Sequence, residues 1–303
     1  MPMGRSVDVR WATRPTGSTE DAVGELARRI READAVLVGA GAGLSAACGP
    51  EFDYSGERFL ARFGDFHERF GITDLYSGGF YPFPGATTRW AWWSRHVWYA
   101  RYDCPVGEPY RDLVALLRGR EHFVLTTNVD HQFQRAGVDR ERLFYTQGDY
   151  GLWQCSVPCH DETYDNYEVV RQMVELQSDL RVPEELVPRC PRCGEEMSMN
   201  LRADSTFVED AGWHAAAGRY RAFLDAHEGD KVVYLEVGVG NNTPGIIKYP
   251  FWKLAAQNPR ATYAQVNATE SLAPAALGER AILIRDDAAR VLAGLRAKLA
   301  EEA

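Results

Sequence analysis

Two closely spaced pairs of cysteines stand in the middle of the chain. Three residues separate Cys155 from Cys159, and two separate Cys190 from Cys193. Four thiolates about 2.3 Å from a Zn²⁺ ion satisfy its tetrahedral coordination and leave no position open for a substrate. We therefore expect a structural zinc ion bound by all four cysteines.

A neighbouring histidine offers an alternative ligand. His160 directly follows Cys159, and the spacing within this first pair is wider than usual. The 30 residues between the two pairs also exceed the common spacing. The remaining cysteines, Cys48 and Cys104, are predicted to be small buried hydrophobic residues and not nucleophiles.

A glycine-rich turn follows an apolar run at residues 35–38, and it reads GAGAGLS over residues 39–45. Glycines at such a turn let the backbone approach a pyrophosphate, whose charge suits the N–H groups at a helix start. The full G-x-G-x-x-G pattern fails because Leu44 or Ala46 stands at its last position, and no acidic residue ends a second strand about 20 residues on. The turn favours nucleotide binding, with a plain tight turn as the alternative.

A second polar segment, TTNVD, ends the next apolar run at residues 126–130. Side chains at the carboxyl end of a parallel strand point into the ligand cleft of an open α/β sheet. Asn128 and Asp130 are therefore candidates for holding an amide or a ribose. Alternatively, Asn128 forms a turn and Asp130 caps a helix over residues 131–135.

Three later segments have the same position after an apolar run. Residues 145–151 read YTQGDYG, residues 240–244 read GNNTP, and Asn267 and Glu270 follow the run at residues 262–266. The amides of GNNTP suit a phosphate or a ribose, and Asn267 with Glu270 suits ribose hydroxyls. Each segment alone is a weak signal, and their shared place after successive strands is what indicates a site.

Apolar runs separated by helical patterns predict the frame that positions these segments. We expect an α/β fold, a Rossmann-like doubly wound parallel sheet. The runs cover residues 35–38, 123–127, 143–145, 232–237, 262–266 and 281–284. Residues 1–18 are expected to form a loosely held polar arm, and Ser18 begins an amphipathic helix of about 15 residues. The last helix covers roughly residues 286–301.

Two segments outside this rhythm are predicted to form a smaller inserted lobe. Residues 52–108 are an aromatic-rich helical module, and residues 152–212 are a zinc-binding module with a helix near residues 166–178. The cleft between the lobes is then the expected ligand site. The Rossmann-like domain is assembled from residues 19–51, 109–151 and 228–303.

Composition excludes several classes of partner. The chain has 303 residues, of which 45% are hydrophobic and 25% charged, with a net charge of −9. An acidic balance argues against broad binding of nucleic acid or anionic membranes. Since there is no apolar run of about 18 residues and no apolar core of a signal peptide, we expect a cytoplasmic protein.

The aromatic stretch at residues 80–102 has two interpretations. Trp90, Trp93 and Val97 fall on one face of the predicted helix. This face either forms the core of the helical module or lines an apolar channel for a long acyl or lipoyl arm.

The order of these segments resembles the sirtuin family over roughly residues 20–300. The matching segments are GAGLS at residues 41–45, TTNVD, Gln147-Gly148, the four cysteines, GVGNNT at residues 238–243, and Asn267 with Glu270. The resemblance implies NAD bound between a Rossmann lobe and a zinc lobe, with nicotinamide leaving from the ribose C1′. The residues implied to bind NAD are Gly41, Ala42, Gly43, Ser45, Asp53, Thr127, Asn128, Asp130, Gln147, Gly238, Gly240, Asn241, Asn242, Asn267 and Glu270.

Several positions depart from the sirtuin deacylases. Gln147 stands where those enzymes have a histidine base, and an amide cannot take up a proton near neutral pH. Thr127 replaces a ribose-binding glutamine. The G-I-P-D-F-R segment appears only as residues 49–54 without an arginine, and the peptide-pairing V-x-F-G-E segment appears as residues 205–210. We therefore do not expect efficient deacylation.

The same combination resembles the class M sirtuins, which are linked to macrodomain proteins. This resemblance implies protein ADP-ribosylation of a lipoylated carrier of the glycine-cleavage H type, with Asn128 and Gln147 as the catalytic pair. It also suggests that Ser45 and Asp130 hold the nicotinamide carboxamide. The alternatives are an NAD-dependent deacylase, an NAD glycohydrolase and an inactive NAD-sensing module.

Overall fold

The computed structural model describes residues 10–241 and 244–301. Its strands are β1 (Trp11–Ala12), β2 (Ala35–Ala40), β3 (His122–Thr126), β4 (Leu143–Tyr145), β5 (Gly148–Cys155), β6 (Tyr164–Asp165), β7 (Met197–Leu201), β8 (Val232–Val237), β9 (Thr262–Val266), β10 (Ala273–Pro274) and β11 (Ala281–Ile284). Its helices are α1 (Thr19–Glu32), α2 (Ala42–Ala46), α3 (Gly56–Phe70), α4 (Leu75–Gly79), α5 (Ala86–Val97), α6 (Glu108–Leu117), α7 (Gln132–Ala136), α8 (Tyr167–Leu176), α9 (Ala211–Ala226), α10 (Lys248–Gln257) and α11 (Ala288–Ala300).

Six strands of the described chain form one parallel sheet in the order β11-β9-β8-β2-β3-β4. The chain builds outward from β2 to one edge and then returns to build from β8 to the other edge. This order creates a switch point between β2 and β8, where a doubly wound sheet opens its ligand crevice. The predicted α/β fold class is therefore confirmed.

Both faces of the sheet are covered, as parallel sheets require. Along β2, Val36 and Val38 pack with α1, α6 and α11, while Leu37 packs on the opposite face with α9 and α10. Ser18 caps α1 by accepting a hydrogen bond from the Asp21 backbone N–H. The first and last helices thus lie on the same face of the sheet.

The N-terminal arm is held more firmly than expected. Within residues 10–18, Trp11 and Ala12 pair with Pro274 and Ala273 as an antiparallel two-stranded sheet. The Thr16 backbone N–H donates to Leu283 O at 2.9 Å. The prediction of a loose arm is wrong for these residues because the unsatisfied edge of the C-terminal segment pairs with them; residues 1–9 lie outside the described chain.

The segments predicted as insertions share a third hydrophobic core. Helices α3 and α5 pack with a three-stranded antiparallel sheet, β6-β5-β7, that the sequence did not predict. The helix near residues 166–178 is α8, and a π-helical turn, Trp98–Tyr102, extends α5. The domain boundaries stay a prediction.

Among the described residues, no helix combines the length and apolar character that crossing a membrane requires.

Candidate active site and metal centre

The glycine-rich loop after β2 packs directly on the loop after β8. The Gly43 backbone N–H donates to Gly238 O at 2.8 Å. A Cβ atom at Gly41 or Gly43 would lie 2.8 Å from backbone atoms of the β8 loop, and Gly238 itself has a φ of +62°. The glycines are therefore required by the contact between these two loops, whether or not a ligand is bound.

A cleft of about 960 Å³ opens between these loops and the smaller lobe. Its wall on the sheet side contains six of the predicted site residues: Gly41, Ala42, Thr127, Asn128, Gln147 and Gly240. Its opposite wall is largely apolar and includes Leu75, Trp90, Trp93, Met197, Met199 and Leu201. The cleft thus combines polar groups at strand ends with an apolar surface on which a second ligand could pack.

Hydrogen bonds to two neighbours fix the Asn128 side chain. Its Nδ2 donates to Gly41 O at 3.0 Å and to Tyr110 OH at 2.9 Å, and it lies 3.3 Å from Ser45 Oγ. Because a backbone carbonyl can only accept, the atom facing Gly41 must be the amide nitrogen. The amide nitrogen is committed to the protein, and the carbonyl oxygen is the end that can serve a ligand in the cleft.

The half-buried Ser45 pairs with the buried Asp130 behind Asn128. Ser45 Oγ donates to Asp130 Oδ2 at 2.5 Å and lies 2.7 Å from Tyr110 OH. Burial raises the pKa of Asp130, and the Ser45 bond opposes this shift. Ser45, Asp53 and Asp130 line a side cavity of about 30 Å³, and Tyr54 borders both this cavity and the main cleft. A small planar group at the cleft floor would meet these residues.

Asp130 also stabilises the start of α7. Its Oδ1 accepts from the Gln132 backbone N–H at 3.1 Å. The helix begins at Gln132 and not at His131 as expected, because His131 adopts a left-handed φ of +64°. One oxygen of Asp130 thus serves the start of the helix and the other faces Ser45, and its role in ligand binding stays a prediction.

Gln147 is placed by its neighbours and not by its own side chain. The Arg202 backbone N–H donates to Gln147 O at 3.0 Å. Next along the loop, Asp149 accepts from Arg101 Nε at 2.6 Å and from His131 Nδ1 at 2.5 Å. Burial works to raise the pKa of Asp149, but the bonds from His131 and Arg101 hold it below its ordinary value. This ionised clamp ties the Gln147 loop to the segment that carries Asn128.

The last predicted site residues meet at the ends of β8 and β9. Asn267 Nδ2 donates to Val239 O at 3.1 Å, and its Oδ1 accepts from the Glu270 backbone N–H at 3.3 Å. Glu270 Oε2 accepts from Asn241 Nδ2 at 2.8 Å. The predicted ligand Asn242 lies outside the described residues.

The four predicted zinc ligands converge. The Sγ atoms of Cys155, Cys159, Cys190 and Cys193 all lie within 4.8 Å of one another. Cys155 and Cys193 are 3.5 Å apart, and Cys159 and Cys190 are 3.6 Å apart. A tetrahedron of sulfur atoms around zinc has edges of about 3.8 Å, given a bond length of about 2.3 Å. The donor set and its size fit a structural zinc ion.

His160 supports this centre from outside it. Its Nδ1 lies 3.0 Å from Cys159 Sγ, and its Nε2 lies 2.8 Å from Tyr164 OH. A histidine with both ring nitrogens engaged in this way orients the thiolate and does not replace it. The all-cysteine set is therefore the better description.

One part of the aromatic face of α5 lies in the core of the smaller lobe, and another part lines the cleft. Trp90 and Val97 are buried, and Trp90 Nε1 donates to Glu196 at 2.7 Å. Trp93 is half-buried, stacks on His96 at 5.2 Å and lines the cleft. Part of the face is thus core, and Trp93 is available to a ligand.

The two other cysteines have no nucleophilic setting. Cys104 is buried, and burial raises the pKa of the Cys48 thiol to about 12. Since the thiolate is the reactive form, neither side chain is activated.

Sequence reasoning missed a histidine in the cleft wall. His96 Nε2 lies 3.1 Å from Tyr150 OH, which in turn lies 3.4 Å from Tyr54 OH. Burial lowers the pKa of His96 from 6.5 to about 3. The histidine is therefore neutral at physiological pH and acts as a hydrogen-bonding member of the aromatic wall. No local sequence signal distinguishes it from a surface histidine.

Replacing His96 by glutamine should flatten the acid side of the stability profile. Between pH 6.5 and about 3 the unfolded chain takes up a proton that the folded chain cannot, so stability falls with falling pH by as much as about 1.4 kcal/mol per unit. Above pH 6.5 this loss is absent. The free energy of unfolding of His96→Gln, measured with urea at about six pH values between pH 4 and 7, should fall less steeply with falling pH than that of the wild type. His214→Gln, at an exposed position, is the control; equal slopes for all three proteins would contradict the prediction.

The chain has curated relatives and solved structures of the same fold. It is 41% identical over 259 residues to a protein ADP-ribosyltransferase from Staphylococcus aureus (strain Mu50 / ATCC 700699), covering 85% of this chain and 82% of that protein. It is 34% identical over 248 residues to a probable bifunctional ADP-ribose hydrolase/ADP-ribosyltransferase from Fusarium oxysporum f. sp. cubense, covering 78% of this chain and 40% of that protein. A Sir2 homologue solved as an NAD complex superposes with a TM-score of 0.59 at 15% identity, over 96% of this chain and 97% of that one. No protein-family model matches the sequence.

Proposed function

The chain belongs to the sirtuin family, and we propose that it is an NAD-dependent protein ADP-ribosyltransferase whose acceptor is a lipoylated carrier protein. The observation that carries this proposal is the pair of amide side chains, Asn128 and Gln147, in the cleft wall beside the glycine-rich loop. Neither amide can take up a proton near neutral pH, so the site suits stabilisation of charge better than the base catalysis of a deacylase.

The reaction breaks the bond between the ribose C1′ and the nicotinamide nitrogen. The bonding electrons leave with nicotinamide, and positive charge develops on the ribose. The carbonyl oxygen of Asn128, whose nitrogen is tied to Gly41 and Tyr110, presents a fixed negative dipole to that charge. A lone pair of the acceptor then bonds to C1′, and the acceptor's proton leaves to solvent. The products are the ADP-ribosylated acceptor, nicotinamide and one proton.

The other proposed NAD contacts form three subsites, one for each part of the dinucleotide. Ser45, Asp53 and Asp130 line the side cavity, which suits the nicotinamide carboxamide. The backbone of the glycine-rich loops, including Gly41 and Gly240, suits the pyrophosphate. Asn241, Asn242, Asn267 and Glu270 are the proposed partners of the adenosine ribose. Gly43 and Gly238 contribute by holding the two loops together.

The proposal of a lipoylated acceptor rests on the apolar wall of the cleft. Trp93, Met197 and Met199 face the same space as the two amides. A long, mostly apolar arm that ends in a disulfide ring would bury its surface on aromatic and thioether groups. We also propose a macrodomain protein as a functional partner, since the fungal relative is a probable bifunctional ADP-ribose hydrolase/ADP-ribosyltransferase.

Mass spectrometry of a carrier protein incubated with the enzyme and NAD tests this function. The lipoylated carrier should gain the mass of one ADP-ribose, whereas the bare carrier and the reaction with Asn128→Ala should not. Nicotinamide release without modification would support an NAD glycohydrolase instead. Release of free lysine from an acyl peptide would support a deacylase.

Replacing Trp93 by alanine should weaken use of the carrier more than binding of NAD. Loss of the aromatic surface should raise KM for the lipoylated carrier by about tenfold, while the Kd for NAD changes by less than about twofold. Trp11→Ala, which removes an exposed tryptophan packed on Trp252, is the matched control. Equal losses in carrier use and NAD binding would contradict the channel.

A further inference from the structure

A lysine is buried at the ribose end of the proposed NAD site. Lys248 is the first residue of α10, and its side chain is 1% exposed. Its ammonium group lies between two carboxylates, 3.2 Å from Glu236 and in direct contact with Glu270. Burying a charge is costly unless it is paired, so this arrangement requires an explanation.

Glu236 is the inner anchor of this arrangement. It lies in β8, and its side chain is fully buried. Tyr263 OH donates to it at 2.8 Å, and Gln265 Nε2 donates at 3.2 Å. Burial raises the pKa of Glu236, and the ammonium of Lys248 opposes this shift. Because this carboxylate is fully buried and already contacts three donors, it holds the lysine and is not open to a ligand.

Glu270 is the outer, partly exposed partner of the lysine. Its side chain is 20% exposed, and its second oxygen accepts from Asn241. Both Glu270 and Asn241 are proposed ribose contacts. Lys248 therefore links a fully buried carboxylate to the carboxylate that the ligand would meet.

We infer that Lys248 is a positioning residue of the ribose subsite: its ammonium holds the Glu270 carboxylate in one orientation before NAD arrives. The inference rests on the proposed function. A free glutamate would lose rotamer freedom when it accepts hydrogen bonds from the two ribose hydroxyls. Because the lysine has already fixed it, this loss does not oppose binding. On binding, the ribose hydroxyls replace the Asn241 amide as donors to Glu270.

The test removes the buried pair as a unit. Lys248→Met alone would leave Glu236 uncompensated in the sheet, so the variant is Glu236→Gln with Lys248→Met. Its Kd for NAD, measured by calorimetry, should rise about tenfold, which corresponds to about 1.4 kcal/mol. Lys253→Met, at an exposed position of the same helix, should bind NAD like wild type.

A thermodynamic cycle with Glu270→Gln separates positioning from mere stability. If Lys248 acts through Glu270, adding the double substitution to Glu270→Gln should weaken NAD binding by less than about twofold more. A lower melting temperature with an unchanged Kd for NAD would overturn the inference. It would also be overturned if the double substitution weakened NAD binding by the same factor with and without Glu270→Gln. If the wild-type protein binds no NAD, the proposed function fails as well, an outcome that differs from a variant that binds like wild type.

Discussion

Replacing Asn128 with alanine should slow nicotinamide release from NAD by about 100-fold or more, the scale found when one preorganised electrostatic contact to a transition state is removed. In the folded protein this amide is oriented by Gly41 and Tyr110, so its carbonyl oxygen needs no reorganisation when charge develops on the ribose. Alanine removes that oxygen. It also removes the bond from the amide nitrogen to Gly41 O, but the Gly43–Gly238 contact that joins the glycine-rich loops and the proposed ribose contacts do not involve Asn128.

The loss should therefore appear in kcat and not in the affinity for NAD. Single-turnover release of nicotinamide and calorimetric Kd, measured on the same preparation, distinguish these effects. Asn258→Ala is a matched control, because Asn258 is also a buried asparagine that donates to a backbone carbonyl, that of Asp230, away from the cleft. If Asn128→Ala and Asn258→Ala lose activity equally, the effect is one of stability. A rate for Asn128→Ala within about threefold of wild type would remove Asn128 from the chemistry, since no contact of the expected size would be missing.

The sequence predicted those parts of the site that local patterns encode. The apolar runs mark the parallel strands. Because the carboxyl ends of parallel strands share one edge, the sequence alone assigns Asn128, Gln147 and Glu270 to one region. The cysteine spacing likewise predicted the metal centre. These signals come from residues close together in the sequence, and their spacing matches that of known structural elements.

Contacts between distant residues could not be predicted. Lys248 stands in KYPFWKLAAQ, which reads as an ordinary amphipathic helix start, and its partner Glu270 is 22 residues away in sequence. Tyr110, which orients Asn128, lies 18 residues upstream on a helix with an apolar face. A buried charge or hydroxyl has no periodicity of its own, so only the packed structure reveals its partner.

The antiparallel sheet of the smaller lobe illustrates the same limit. Strand β5 begins at Gly148, within the polar segment that the sequence marked as a strand-end loop. It pairs with β7, with Cys155 opposite Met197, and the segment that connects the two strands contains the other three cysteines. The residue after Gln147 must be glycine, because its φ is +92° and a Cβ at Gly148 would lie 1.9 Å from Asn200 O in β7. Gln147 is thus positioned by the zinc lobe as much as by the sheet.

Loss of zinc should therefore disable the cleft wall as well as destabilise the chain. Cys155 ends β5, and Cys190 belongs to the same core as Trp90 and Trp153. Between the metal centre and the cleft, Glu196 accepts from Trp90 Nε1 and pairs with Arg89. Without the ion, the cysteines would take up protons and lose the bonds that join them, and this connection would lose its anchor.

Replacing Cys190 with serine should lower the melting temperature by on the order of 10 °C and abolish stoichiometric zinc, because structural zinc contributes several kcal/mol to folding. Thermal unfolding followed by circular dichroism, together with metal analysis of the purified protein, measures both effects. Cys104→Ser is the matched control, since Cys104 is a buried thiol at 2% exposure outside the cluster. That variant should retain zinc and lose little stability. If Cys190→Ser keeps both its zinc and the wild-type melting temperature, His160 is a ligand in its place. A loss of zinc with no loss of stability would mean that the small lobe is held by its aromatic core alone.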